Sequence, residues 1–176
     1  MRRLCFALFA LFALPATVSA TTFSFRLGGD FLNYTTNSSF LDMGFGWQNE
    51  IAKGMELDLG ASFGIVTHSL TNQTVAPIFF IPVNGGLNFL FGDDPLTFLV
   101  GFGLTPVFTG EPGVDAANPG YFRIYIGPYL KAGIRVKVHE LMRWYAEVEQ
   151  DILVGGPTWI NNCTRVTTGL NFNFGK

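Results

Sequence analysis

Between Tyr121 and Val138 the chain reads YFRIYIGPYLKAGIRVKV. The even positions are Phe122, Ile124, Ile126, Pro128, Leu130, Ala132, Ile134, Val136 and Val138. The odd positions are Tyr121, Arg123, Tyr125, Gly127, Tyr129, Lys131, Gly133, Arg135 and Lys137. A β-strand sends successive side chains to opposite faces, so this segment has one wholly apolar face and one basic face that also carries tyrosine and glycine. The alternation persists over about eighteen residues, against about five or six in an ordinary soluble strand. Such a strand suits a wall with lipid on one side and water on the other.

The N-terminus reads MRRLCFALFALFALPATVSA. Arg2 and Arg3, the apolar run Leu4–Leu14 and the small residues Val18-Ser19-Ala20 form the three regions of a secretory leader, with cleavage expected after Ala20. Pro15 ends the apolar run too early for a membrane-spanning anchor. Residues 21–176 then form a single domain. Without Arg2 and Arg3 the chain has 9 basic residues against 13 acidic ones, so no basic surface for nucleic acid is expected. Cys163 is the only cysteine left and has no disulfide partner; a loop thiol is the expectation. The pairing of 19 Phe with 21 Gly, and no second long apolar run, fits barrel strands better than membrane helices.

Alternation predicts eight strands: Thr22–Asn33, Ser39–Ile51, Met55–Thr67, Pro77–Leu90, Leu96–Phe108, Tyr121–Val138, Arg143–Val154 and Thr164–Phe174. Tight turns are expected at Ala52-Lys53-Gly54, Gly92–Pro95 and His139–Met142, because Gly, Asp and Pro supply turn backbone geometry. Longer polar loops are expected at 68–76, 109–120 and 155–163, with a short link at 34–37. Short connections at one end and longer ones at the other match an outer-membrane, up-and-down antiparallel transmembrane β-barrel. An even strand count places both termini at the tight-turn, periplasmic end.

Three observations set the faces. Every charged residue of the strands lies on the polar face, as a lipid belt requires, since a charge at mid-bilayer costs roughly 2–4 kcal/mol. The polar face is rich in Gly, Asn, Ser and Tyr, which suit the narrow lumen of an eight-stranded barrel. The apolar face is uniformly bulky and would overfill so small an interior. Phe23, Trp47, Phe89, Phe98, Trp144 and Phe174 fall toward the tight turns on the apolar face and are expected to form an interfacial aromatic girdle.

The lumen face carries Arg26, Glu56, Asp58, Arg123, Lys131, Arg135, Lys137, Glu147, Glu149, Asp151 and Arg165. Their signs nearly balance, so a salt-bridge plug that holds the barrel shut is expected; unpaired charges in so tight a space would be costly. Antiparallel neighbourhood places Lys131 near Asp151 or Glu149, and Arg135 near Glu147 or Tyr145. A proton or ion path is the sharper alternative. Lipid chemistry would need a histidine, and only His68 and His139 exist, at opposite rims. With two histidines and no cysteine cluster, no metal or other cofactor is expected. Pro82, Pro106 and Pro128 fall inside strands; bulges are expected there, with a local change of parity beyond each. Gln150, on the apolar face, would mark such a change.

Eight alternating strands, the leader and the closing TGLNFNFGK resemble the small eight-stranded outer-membrane barrels, the OmpX, OmpA-barrel and OmpW-like group, over residues 22–174. The resemblance implies outer-membrane location in a double-membraned bacterium, contact with lipopolysaccharide or another glycolipid, and a final strand read by the barrel-assembly machinery. Leu170, Phe172 and Phe174 stand where the group's C-terminal aromatics stand, with Gly175-Lys176 following. It further implies either a non-enzymatic surface role, in adhesion, immune contact or envelope structure through the loops, or an OmpW-like narrow or lateral path for small solutes. A lipid-modifying enzyme is the weaker alternative.

Overall fold

The structure, a computed structural model, describes residues 21–33, 38–69, 79–111, 120–155 and 158–174. The leader expected at 1–20 lies outside them. Eight strands follow one another: β1 (Thr21–Asn33), β2 (Ser38–Ala52), β3 (Met55–Ser69), β4 (Phe79–Phe91), β5 (Leu96–Glu111), β6 (Tyr121–His139), β7 (Met142–Gly155) and β8 (Thr158–Asn173). Each pairs antiparallel with the next, and β1 pairs with β8, so the sheet closes on itself and has no free edge. Phe174 N–H donates to Thr21 O at 3.0 Å, tying the two ends of the chain together at the seam.

The tight turns lie between β2 and β3, β4 and β5, and β6 and β7. Gly54 (φ 73°) and Gly92 (φ 97°) hold left-handed backbone that a side chain would strain. At the other end β3 and β5 run further than alternation indicated. His68 and Ser69 belong to β3, and Thr109–Glu111 to β5. The largest correction is the expected loop at 155–163. Strand β8 begins at Thr158, and Asn161 and Cys163 are buried inward, so Cys163 is not a loop thiol. The adjacent asparagines mask this part of the strand, because inward Asn161 is as polar as outward Asn162.

Register holds through all three strand prolines. Ala61↔Val83 and Gly64↔Phe80 share one frame across Pro82; Pro82↔Val107 and Gly85↔Leu104 share another. Pro106 and Pro128 are themselves paired, with Ile126 and Leu104. The parity changes expected at the prolines are therefore absent. The ladder skips pairs beside Pro82 instead, because a proline has no N–H to donate. The irregularities lie elsewhere, at Ser39/Phe40, Glu50/Ala52, Lys137/His139 and Leu153/Gly155.

Outward side chains form an apolar belt: Phe45, Phe98, Phe122, Ile124, Leu130 and Val148 are all well exposed. Directly paired Phe25 and Phe45 meet edge to face at 5.7 Å. Gln150 does face outward, and no slip of register is involved. Its amide donates to the carbonyls of Asp151 and Cys163 at 3.2 and 3.1 Å, and Thr164 Oγ1 donates to its Oε1 at 2.7 Å. A polar group facing an apolar medium is tolerated when its hydrogen bonds are made locally.

Candidate functional site in the barrel lumen

Inward side chains form three charged layers. Nearest the tight turns, Arg135 on β6 donates through Nη1 to both oxygens of Glu56 on β3, at 3.0 and 2.8 Å. In the middle, Asp58 on β3 accepts from Arg26 Nη2 of β1 at 3.2 Å and from Lys131 Nζ of β6. Lys131 also lies 3.7 Å from Glu147 on β7, and Arg26 Nη1 donates to Asn84 Oδ1 on β4 at 3.1 Å. Further toward the long connections, Arg165 on β8 donates to Asp30 on β1 at 2.7 Å and to Glu149 on β7 at 2.6 Å, with Asp151 at 3.6 Å. Asp58, Asp30 and Asp151 have no exposed surface.

The partners differ from those that strand adjacency suggests. The register does set Lys131 opposite Glu149 and Arg135 opposite Tyr145. Their charged groups nevertheless end on β3, two for two. In so narrow a barrel the facing wall is as near as the neighbouring strand. Glycines clear the way. A Cβ at Gly60 would collide with Arg26 and Asn84, one at Gly101 with Asn88 and the Lys131 stem, and one at Gly86 or Gly103 with Tyr129. Tyr145, seated against Gly169, donates to Phe25 O at 3.2 Å.

Two expected members stand outside these layers. Lys137 ends at the tight-turn mouth, where it meets Asp94 at 3.1 Å and Glu140 at 3.2 Å; Arg143 meets Asp94 at 3.1 Å. The hydrogen bond from Lys137, with the Arg143 charge beside it, holds the Asp94 carboxyl below its ordinary range. Arg123 is half-buried near the start of β6. Asp30 and Asp42 are buried lumen carboxylates not singled out among the candidate site residues, although alternation does place them on the polar face. A cavity of about 610 Å³ opens at the tight-turn end, lined among others by Glu50, Lys53, Glu56, Asp93, Asp94 and Arg143.

Beyond the charged layers lies a feature that the sequence reading missed. Strands β1 to β4 contribute Leu32, Phe40, Val66 and Phe80; strands β5 to β8 contribute Val107, Tyr125, Leu153 and Cys163. Together they make an apolar cluster inside the lumen at the end of the long connections. Phe40 and Phe80 stack at 5.0 Å between centroids. The available signal was apolar residues on polar-face parity at the same end of several strands.

Of the six girdle candidates, Phe23, Phe98, Trp144 and Phe174 are well exposed near the tight turns, Trp47 and Phe89 are half-buried there, and Phe23 meets Phe174 at 5.8 Å. Phe91, equally exposed there, belongs with them by position. Leu170 and Phe172 lie outward on β8, which ends at Asn173, with Phe174 just beyond. His68 and His139 belong to opposite ends of the barrel, on β3 and β6. Among the described residues no three His, Cys, Asp or Glu side chains are arranged to hold a metal ion.

Closed eight-strand meander, apolar exterior and charged lumen together define the fold of the small outer-membrane β-barrels. Several solved members superpose on it. Neisserial surface protein A matches with a TM-score of 0.68 and 9% identity, over 90% of this chain and 98% of that one. The N-terminal barrel domain of Pseudomonas aeruginosa OprF gives 0.62 and 13%, over 89% and 99%. Ail, the attachment invasion locus protein of Yersinia pestis, in complex with the heparin analogue sucrose octasulfate, gives 0.58 and 9%, over 89% and 97%. No protein-family model and no curated protein sequence matches the chain.

Proposed function

We propose that the chain is an integral outer-membrane protein of a double-membraned bacterium, exported by its leader, non-enzymatic, with a closed lumen whose facing walls its buried charges hold together. The observation that carries this reading is the set of buried ion pairs across the lumen, above all Arg26–Asp58–Lys131 and Asp30–Arg165–Glu149. Removing one partner from such a set leaves a buried charge uncompensated, so the pairs hold the facing walls together. The protein acts at the cell surface, through the connections within 68–76 and 109–120, in adhesion, immune contact or envelope structure. Ail, solved with a heparin analogue, supports a ligand-binding role for a barrel of this shape. The aromatic girdle seats the barrel in the bilayer beside lipopolysaccharide or a similar glycolipid, and Leu170, Phe172 and Phe174 present the last strand to the assembly machinery.

An epitope inserted at residues 112–119 tests the surface role. Antibody binding to intact cells, with the protein in the outer-membrane fraction, is the expected result; binding only after lysis would contradict it. A second reading, a narrow or lateral path for small solutes, is favoured by one observation: beside Pro82 the ladder skips pairs toward both β3 and β5. Solute-specific swelling of liposomes that hold the barrel would support that reading.

A further inference from the structure

We infer that the permeability seal of the lumen is the apolar ring at the end of the long connections, and that the charged layers brace the wall without being the barrier. The inference rests on the closed-lumen reading and locates the closure. All eight strands contribute a residue to the ring, seven of them buried and Val66 half-buried against the rest. Phe80, Val107, Leu153 and Cys163 have no exposed surface, and Phe40 has 2%. An ion passing such a ring would lose its hydration shell against mostly hydrocarbon, because the carboxylates beside the ring, Asp30 next to Phe40 and Asp151 next to Cys163, already face Arg165.

The charged layers are a different environment. The open cavity brings solvent from the tight-turn end as far as Glu56. At that level both polar atoms of Asn88 and of Asn171, and Arg135 Nε and Nη2, are buried without a protein hydrogen-bond partner, and higher up so are Glu147 Oε1 and Asp30 Oδ2. Buried polar atoms are satisfied by water where protein does not supply a partner. The lumen is therefore hydratable from the tight turns up to the third charged layer, and the ring is its most apolar level. In this arrangement the ion pairs set the barrel's stiffness and the ring sets its leak.

The chain starting at Thr21, whose sole thiol is Cys163, is refolded into planar bilayers and liposomes. Phe40→Ala/Phe80→Ala cuts the ring. Lys131→Met/Glu147→Gln removes charges from the middle layer but leaves Arg26 paired with Asp58. The ring variant is expected to give discrete conductance steps. Modification of its Cys163 by a membrane-impermeant thiol reagent is expected to rise about tenfold or more over wild type. The charge variant is expected to stay shut, with Cys163 protected. Conduction by the charge variant, or a ring variant that stays closed, overturns the inference. Should the double ring variant fail to fold, Leu153→Ala takes its place with the same readouts. Ready labelling of wild-type Cys163 from the outer side also overturns the inference. Conductance by the wild-type chain is a distinct outcome, which sinks the closed-lumen reading itself.

Discussion

Asp58 joins three strands through one carboxylate, accepting from Arg26 and Lys131 in a space with no exposed surface. Asp58→Asn removes the anion and leaves two buried cations without their shared partner, Glu147 lying 3.7 Å from Lys131. Loss of about 3–5 kcal/mol of stability is expected, read from urea unfolding in lipid vesicles. A loss below about 1 kcal/mol would mean that Asp58 does not carry the middle layer. The glycines offer a second contrast. A Cβ at Gly103 meets the backbone of Gly85 and Gly86, which cannot yield, whereas one at Gly29 meets nothing nearer than 3.6 Å. Gly103→Ala is expected to cost about 1–3 kcal/mol, and Gly29→Ala far less; equal effects would contradict the inward crowding. At this scale the sequence told which residues carry charge into the lumen, because parity alone decides that. It did not tell which charges meet. Lys131 passes its register neighbour Glu149 for Asp58 on the far wall, and that choice depends on barrel width and on glycines in other strands.

The strands themselves were legible wherever two faces differ. Strands β2, β6 and β7 lie within a residue or so of where alternation places them. Strand β8 was misjudged at its start, since Asn161, Asn162 and Thr164 give neither face an apolar signature. The prolines misled in the opposite direction: they break hydrogen bonds but not register. Gln150 tests the register directly. Gln150→Leu, placed on the lipid face, is expected to be neutral within about 1 kcal/mol or stabilising. Strong destabilisation would mean that this side chain faces the lumen. At the tight turns, Asp94 clips the β4–β5 turn to Lys137 and Arg143. Its carboxyl is held below the ordinary range, so the folded state binds that proton less readily than the unfolded chain does. The stabilisation is present above the unfolded value and is lost as pH falls through the folded one. Asp94→Asn is expected to flatten the acid limb of the stability profile and to leave the alkaline limb unchanged. An unchanged acid limb would show that the clip contributes nothing.

The whole molecule is a wall that separates two media, with its usual inside and outside reversed. Alternation and the asymmetry of the connections made the barrel legible, because a closed sheet in lipid obliges every strand to follow one pattern. The apolar ring was not legible in the same way. Most of its residues are single departures from alternation, Tyr125 reads as an ordinary polar-face tyrosine and Cys163 as part of a loop, and only closure brings the eight together. The central claim is a membrane-inserted barrel that does not conduct. Single-channel recording on the refolded wild-type chain, with insertion verified by its altered mobility on an unboiled gel, addresses that claim most directly. A flat current at all voltages is the predicted result; reproducible discrete steps from the folded, inserted protein would contradict it.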